Sequence, residues 1–304
     1  MAEMSSLFRG KAGRAFAAGL KHLLKIDRVE WFYEKICGWD GEKETGATGI
    51  EFAKGSIEES GFRMTLNGMP RDEAIDWLRE NLPAGGFITI SNHTLGALDG
   101  LGLIDLFGHA TGYMPNRESR YKYMVNSLLL RMNAAASCFI SVTPTGTVRT
   151  APTAESIAGI YAAKTHLDAG GALGLFPAGA VSNLETGRRP VVQLPDAGWD
   201  LPSCYTEPRV RDREWQMSII KFIKRAGVPV LPVLNATQNS KFFYNLGLID
   251  WRLRLTRLPA EMLNKRGQEL RFVAGPMIPA EKIASVQSLK ELRTLLRASV
   301  YSLL

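Results

Sequence analysis

Two hydrophobic periods take turns along this chain. Short apolar runs at 86–91, 138–142, 171–176, 228–234 and 270–273 are rich in β-branched and aromatic residues and are bounded by Gly, Pro or Asn, as strands are. Between them, 72–81, 98–107, 121–132, 153–167 and 215–226 repeat apolar residues every three or four positions, as amphipathic helices do. Upstream, 29–38 reads as a short helix and 46–66 as a small strand-rich passage ending in the Asn67-Gly68 turn. Strands alternating with helices of this length require right-handed crossovers. The pattern therefore predicts an α/β fold, a mixed, mainly parallel central sheet surrounded by helices. In such sheets the functional loops gather at the carboxyl ends of the strands. His93, Pro177 and Gly179 all fall just past predicted strand ends.

Two stretches depart from this rhythm. On a helical wheel of about 100° per residue, Phe8, Ala12, Phe16, Leu20, Leu23 and Leu24 share one side of residues 5–26, and Lys11, Arg14, Lys21 and Lys25 lie opposite. Arg9 is the one charge on the apolar side. Residues 1–26 therefore read as a basic amphipathic helix, suited either to an anionic membrane surface or to docking on the protein's own core. A single domain is expected over 27–304. Within it, 183–212 contains Gly187, Pro190, Pro195, Gly198, Pro202 and Pro208 with no sustained period, and reads as one long loop, either a lid or a solvated insertion. Arg188, Arg189, Arg209 and Arg211, with Arg213 just beyond, make it locally basic.

The 304 residues, 45% of them hydrophobic, are enough for a sizeable core. Lys and Arg outnumber Asp and Glu by 37 to 30, and the net charge of +7 biases the surface toward lipid headgroups, phosphates or an acidic carrier protein. No basic stripe with interleaved aromatics accompanies it, which argues against nucleic acid as a partner. Cys37, Cys138 and Cys204 are odd in number and far apart, giving neither a disulfide framework nor metal-ligand spacing, so a reducing compartment and no metal are expected. No run approaches the roughly 18 to 20 apolar residues of a bilayer span, and the N-terminus lacks a signal-peptide hydrophobic region.

Candidate chemistry centres on Ser91-Asn-His-Thr-Leu-Gly-Ala-Leu-Asp-Gly100, where His93 precedes Asp99 by six positions on a strand-to-helix loop. A neutral imidazole takes a proton from a hydroxyl at neutral pH, and a carboxylate on its second nitrogen fixes the tautomer. A capping histidine beside a helix-start aspartate has the same spacing. Gly170 to Ser182 is a glycine-dense strand and turn, in which Pro177 stiffens and Gly179 frees a backbone able to approach an anionic or carbonyl oxygen. The two prolines of 228–234 confine that strand to an edge or to irregular pairing. Phe242, Phe243 and Tyr244 border a groove or pack in the core. His22, His109 and His166 have no catalytic partner nearby and read as structural or solvated. Serine-hydrolase elbows, P-loops and dinucleotide fingerprints are absent.

Asn92-His93 with Asp99, Phe176-Pro-Ala-Gly179 and Val228-Pro-Val-Leu-Pro-Val233, in this order and at these separations, resemble the glycerolipid (lysophospholipid) acyltransferase superfamily. The resemblance covers roughly 20–280 and is greatest to a bacterial hemolysin-like branch that includes lyso-ornithine-lipid-type O-acyltransferases. Asp212-Arg-Glu-Trp-Gln216, 239–247 and 258–267 support it. It implies acyl transfer from acyl-ACP or acyl-CoA, as co-substrate and without a bound cofactor, to a lysolipid hydroxyl at the cytoplasmic membrane face. His93 and Asp99 would be catalytic, and Asn92, Phe176, Pro177, Gly179 and Ser182 would contact substrate. Three departures bear on the acceptor. Five residues separate His93 from Asp99 where most of the superfamily has four, Ala180 stands where the branch has glutamate, and the superfamily's phosphate-binding arginine has no counterpart before Arg149. An amino-acid-headgroup lysolipid is therefore expected over lysophosphatidic acid, with Arg149 a stand-in for the missing arginine. N-acylation of an amino acid and a noncatalytic membrane-binding protein are the alternatives.

Overall fold

The computed structural model describes residues 46–126, 129–130, 132–142 and 154–304, with Lys25, Arg28 and Lys35. The amphipathic stretch 1–26 and the short helix at 29–38, except for Lys25 and Lys35, lie outside the described residues, as do His22 and Arg149. In chain order the elements are α1 (Gly49–Ser60), β1 (Arg63–Leu66), β2 (Met69–Pro70), α2 (Arg71–Asn81), β3 (Phe87–Ser91), α3 (Ala97–Thr111) and β4 (Tyr121–Asn126). A 3-10 turn (Asn133–Cys138), β5 (Phe139–Val142), α4 (Ala154–Asp168), β6 (Ala172–Leu175), β7 (Asn183–Leu184), β8 (Val191–Gln193), β9 (Cys204–Thr206) and β10 (Val210–Arg211) follow. The chain continues through α5 (Met217–Ala226), β11 (Val230–Asn235), α6 (Lys241–Ile249), α7 (Trp251–Thr256), α8 (Leu258–Asn264), β12 (Glu269–Ala274), α9 (Ala280–Ser285) and α10 (Leu289–Tyr301).

Eight strands form one sheet in the order β2-β1-β12-β11-β3-β6-β4-β5. From β11 to β5 every pairing is parallel, whereas β12 runs antiparallel to β11 and β2 antiparallel to β1. The sheet is thus mixed and mainly parallel, as the alternation of periods predicts. Its two faces carry separate cores. On one side Ile50, Leu78, Phe107, Tyr121 and Phe272 pack beneath α1–α3. On the other Ile88, Ile90, Leu173, Trp215 and Leu295 pack beneath α4, α5 and α10. Adjacent β3 residues point to opposite faces, Phe87 to the first core and Ile88 to the second, as the strand period requires. Each such side chain, fully buried, contributes about 1.5–3 kcal/mol.

Four sequence expectations are corrected. Within 46–66, residues 49–60 are the helix α1, because Ile50, Ala53 and Ile57 recur on one buried face while Glu51 and Glu58 stay exposed. Within 121–132, Tyr121 to Asn126 are a parallel strand. Tyr121 and Tyr123 share the face toward the first core, and the strand is held between β6 and β5, so pairing partners decide what the local period leaves ambiguous. Of the two expectations for the proline-bearing β11, an edge place or irregular pairing, the edge is excluded, since β11 lies between β12 and β3. Val230 exchanges backbone hydrogen bonds with Ile278, and Gly275 N donates to Pro232 O at 2.9 Å, so the Pro232 nitrogen faces the place where the chain turns out of β12 and no ladder donor is lost. Finally, 183–212 is not one structureless loop. It carries two small antiparallel ribbons, β7 with β10 and β8 with β9.

At Gly174 in β6 a Cβ would stand 2.3 Å from the Tyr123 ring and 2.5 Å from the Tyr121 hydroxyl. Gly174→Ala should therefore lower stability by about 1–3 kcal/mol through overpacking, read as an earlier urea unfolding midpoint. An unchanged midpoint would contradict this packing.

Candidate active site

β3, β4, β6 and β11 are parallel, so the segments that follow them meet at one edge of the sheet. After Ser91 the chain leaves β3 through Asn92 and His93, turns at Gly96 (φ +77°) and enters α3. Asp99 lies in the first turn of α3 and is fully buried. Its Oδ2 is 2.8 Å from His93 Nδ1 and accepts the Leu95 N–H at 2.8 Å, and its Oδ1 accepts from Asn235 Nδ2. A buried carboxylate without such donors would be costly; here both oxygens are satisfied. Because a carboxylate only accepts, the hydrogen of a neutral His93 sits on Nδ1 and its Nε2 carries the free lone pair. The His93 side chain remains 18% exposed, so the ring reaches solvent while its partner does not.

Three further groups fix the ring. Phe176, just past β6, stacks on it with centroids 4.0 Å apart and planes at 18°, and Tyr123 packs against Phe176 at 4.6 Å. Burial, with the neighbouring Tyr121 phenol and the Asp99 carboxylate, pushes the Tyr123 hydroxyl well above the usual phenol range. Asp212 secures the backbone: its Oδ1 accepts from His93 N at 3.1 Å and from Ser182 Oγ at 2.6 Å, and its Oδ2 accepts from Trp215 Nε1 at 3.0 Å. Burial pushes the Asp212 carboxyl above the usual range, against the pull of these donors and of the Arg297 charge.

The structure sorts the residues expected to contact substrate into two groups. Phe176 and Gly179 line a cavity of about 200 Å³ whose other walls include Met124, Leu175, Ile219 and Phe222. Gly179 is exposed at φ +62°, and a Cβ there would meet Gln216 Nε2 at 2.1 Å, so the turn closes tightly over its neighbour. The Gly179 N–H closes this turn on Phe176 O, while buried Pro177 offers its carbonyl to Gln216 N. Asn92 and Ser182, in contrast, are turned inward. Asn92 Nδ2 donates to Asn235 O at 2.9 Å and its Oδ1 accepts from Asn235 N at 2.7 Å, which ties the ends of β3 and β11 together. Ser182 spends its hydroxyl on Asp212, its N–H on His93 O and its carbonyl on Arg254. The polar atoms of both are thus engaged in the frame behind His93.

Asn235, Asp212 and Arg254 are site residues that spacing alone does not reveal. Arg254, 5% exposed, donates to the carbonyls of Val181 at 2.9 Å and Ser182 at 2.8 Å, and burial lowers its affinity for the proton. Of the other candidates, Phe243 and Tyr244 are core residues and Phe242 is exposed. His109 is held by Asp105, which is paired in turn with Arg71, and His166 by the carbonyl of Arg120, so both are structural.

No protein-family model matches the chain. It is similar to the lyso-glycine lipid O-acyltransferase of Phocaeicola vulgatus, 23% identical over 315 residues that cover 99% of this chain and 94% of that protein. It is also similar to the lyso-glycine lipid O-acyltransferase of Bacteroides thetaiotaomicron, 26% identical over 240 residues, 76% of this chain and 71% of that protein. The resemblance carried by the motifs thus extends to named lysolipid O-acyltransferases across nearly the whole chain.

Proposed function

We propose that this chain is an O-acyltransferase, moving a fatty acyl group from an acyl-ACP or acyl-CoA thioester to the hydroxyl of a lysolipid with an amino-acid headgroup, glycine foremost. The observation that carries this reading is the contact of His93 Nδ1 with the buried Asp99 carboxylate at 2.8 Å, beside a largely apolar cavity at the strand ends. The names of the two relatives support the acceptor class, and so does the absence of an early phosphate-binding arginine.

In this mechanism His93 Nε2 removes the acceptor hydroxyl proton while Asp99 stabilises the imidazolium that forms. The oxygen attacks the thioester carbonyl directly. Collapse of the tetrahedral intermediate expels the thiolate, which takes the proton back from His93, leaving an ester and a free thiol. No acyl-enzyme forms. Phe176 keeps the ring plane fixed, and the cavity it borders accommodates acyl methylenes, each gaining about 0.8 kcal/mol on burial. The chain works as a peripheral protein on the cytoplasmic membrane face.

Incubation with an acyl thioester should convert lyso-glycine lipid to a product whose new linkage yields to mild alkali, followed by mass spectrometry. An alkali-resistant amide would assign N-acylation, and lysophosphatidic acid outcompeting the lyso-aminolipid would overturn the acceptor class. Asn235 is a positioning residue. Asn235→Ala should slow turnover, less severely than loss of His93 itself, and destabilise the fold by about 1–3 kcal/mol, because it strands buried polar atoms of Asp99 and Asn92. Wild-type kcat in this variant would remove Asn235 from the machinery.

A further inference from the structure

The helices that close over this site carry an apolar face turned outward. On α6, Phe243 and Tyr244 point inward against Val181, Val210 and Leu258. Phe242, Leu248 and Ile249 point away, with Phe242 55% and Ile249 76% exposed. On α7, Trp251 and Leu255, one helical turn apart, are 57% and 37% exposed. Five large apolar side chains within fourteen residues are more than the scattered exposure ordinary on a soluble surface. The charge around them is one-sided. Residues 241–266 hold six Lys or Arg against two acidic residues; with the buried Arg254, Lys265 and Glu261 set aside, four basic residues remain in that sequence against Asp250. Lys241 is exposed beside Phe242, and the Arg257 guanidinium lies 5.2 Å from the Phe242 ring centroid. Aromatic and aliphatic tips rimmed by cations match a bilayer interface with anionic headgroups.

Two observations connect this face to its surroundings. Lys25, near the end of the basic amphipathic sequence, donates to Asn264 Oδ1 of α8 at 2.6 Å, so Lys25 itself lies against the α6–α8 group. The underside of the same group holds the site, since Arg254 of α7 binds the carbonyls of Val181 and Ser182, and Ser182 N donates to His93 O. The same helices thus carry the outward face and hold the loop that contacts the candidate base.

We propose that Phe242, Leu248, Ile249, Trp251 and Leu255 form a docking pad for an anionic bilayer, which brings the His93 site to the depth of lysolipid headgroups. The choice of acceptor rests on the acyltransferase reading, whereas the docking itself does not. The test is cosedimentation of the full chain with phosphatidylcholine vesicles containing 30% phosphatidylglycerol, comparing wild type with Ile249→Ser/Trp251→Ser. The double variant should partition at least tenfold more weakly at an unchanged melting temperature. It should keep its turnover on acceptor dispersed in detergent micelles and lose turnover on vesicles. As a check independent of variant folding, brominated lipids should quench wild-type tryptophan fluorescence, and Trp251→Phe should remove the quenched component. Undiminished vesicle binding by the double variant would overturn the pad, as would a lipid-free dimer that the same substitutions dissociate. Loss of vesicle binding in the variant, together with a wild type inactive on every acceptor, would uphold the pad and sink the acyltransferase reading.

Discussion

A carboxylate with no exposure to solvent is the constraint around which this protein is organised. Asp99 is buried at the start of α3, and it is tolerable there only because three donors from two places converge on it: His93 and Leu95 from the β3–α3 loop and Asn235 from the end of β11. Asn235 can reach it only when β11 lies alongside β3 in the observed register, Val233 opposite Ser91, and the reciprocal amide–backbone pair of Asn92 and Asn235 holds that register at its last residue. Sheet pairing and ring orientation are therefore one problem. Slip the strands and the carboxylate loses its third donor.

Asp212 makes a parallel arrangement on the far side of the ring. It joins the His93 backbone, Ser182 and Trp215, and its own N–H donates to the Tyr301 hydroxyl at 2.8 Å, so the end of α10 helps hold the loop after β3. Ser182 links that centre to Arg254, whose two terminal guanidinium nitrogens each donate to a carbonyl while its buried Nε has no hydrogen-bond partner among the described residues. The imidazole is thus fixed by a carboxylate at one nitrogen, an aromatic plane at its face and a second carboxylate at its backbone. Its remaining nitrogen is left for chemistry. Ala180, where the resembled branch has glutamate, leaves the turn between Gly179 and Val181 without a charge.

The α/β alternation, most strand positions and the pairing of His93 with Asp99 were legible because each is local. A strand of five or six residues and a loop-to-helix turn write their periods and caps into adjacent positions. What escaped depends on distant partners. Asn235 lies 143 positions from Asn92, and Asp212 lies 119 from His93, so no spacing in the chain announces either. Tyr121 to Asn126 fit a helical repeat as well as a strand, and only the neighbours β5 and β6 decide between them. Proline in β11 argued for an edge or for irregular pairing, and it is tolerated inside the sheet because the chain turns out of β12 at Gly275. Asn92 and Ser182 stand within motifs that suggest substrate contact, yet their atoms are spent inside the protein, which sequence order cannot show.

The central claim is that His93 strips the acceptor's proton. The most direct measurement is the rate of ester formation from acyl thioester and lyso-glycine lipid by the folded His93→Gln variant beside wild type. The account predicts a loss of about 10²–10⁴-fold in kcat at an unchanged melting temperature, and a rate within a fewfold of wild type would contradict it.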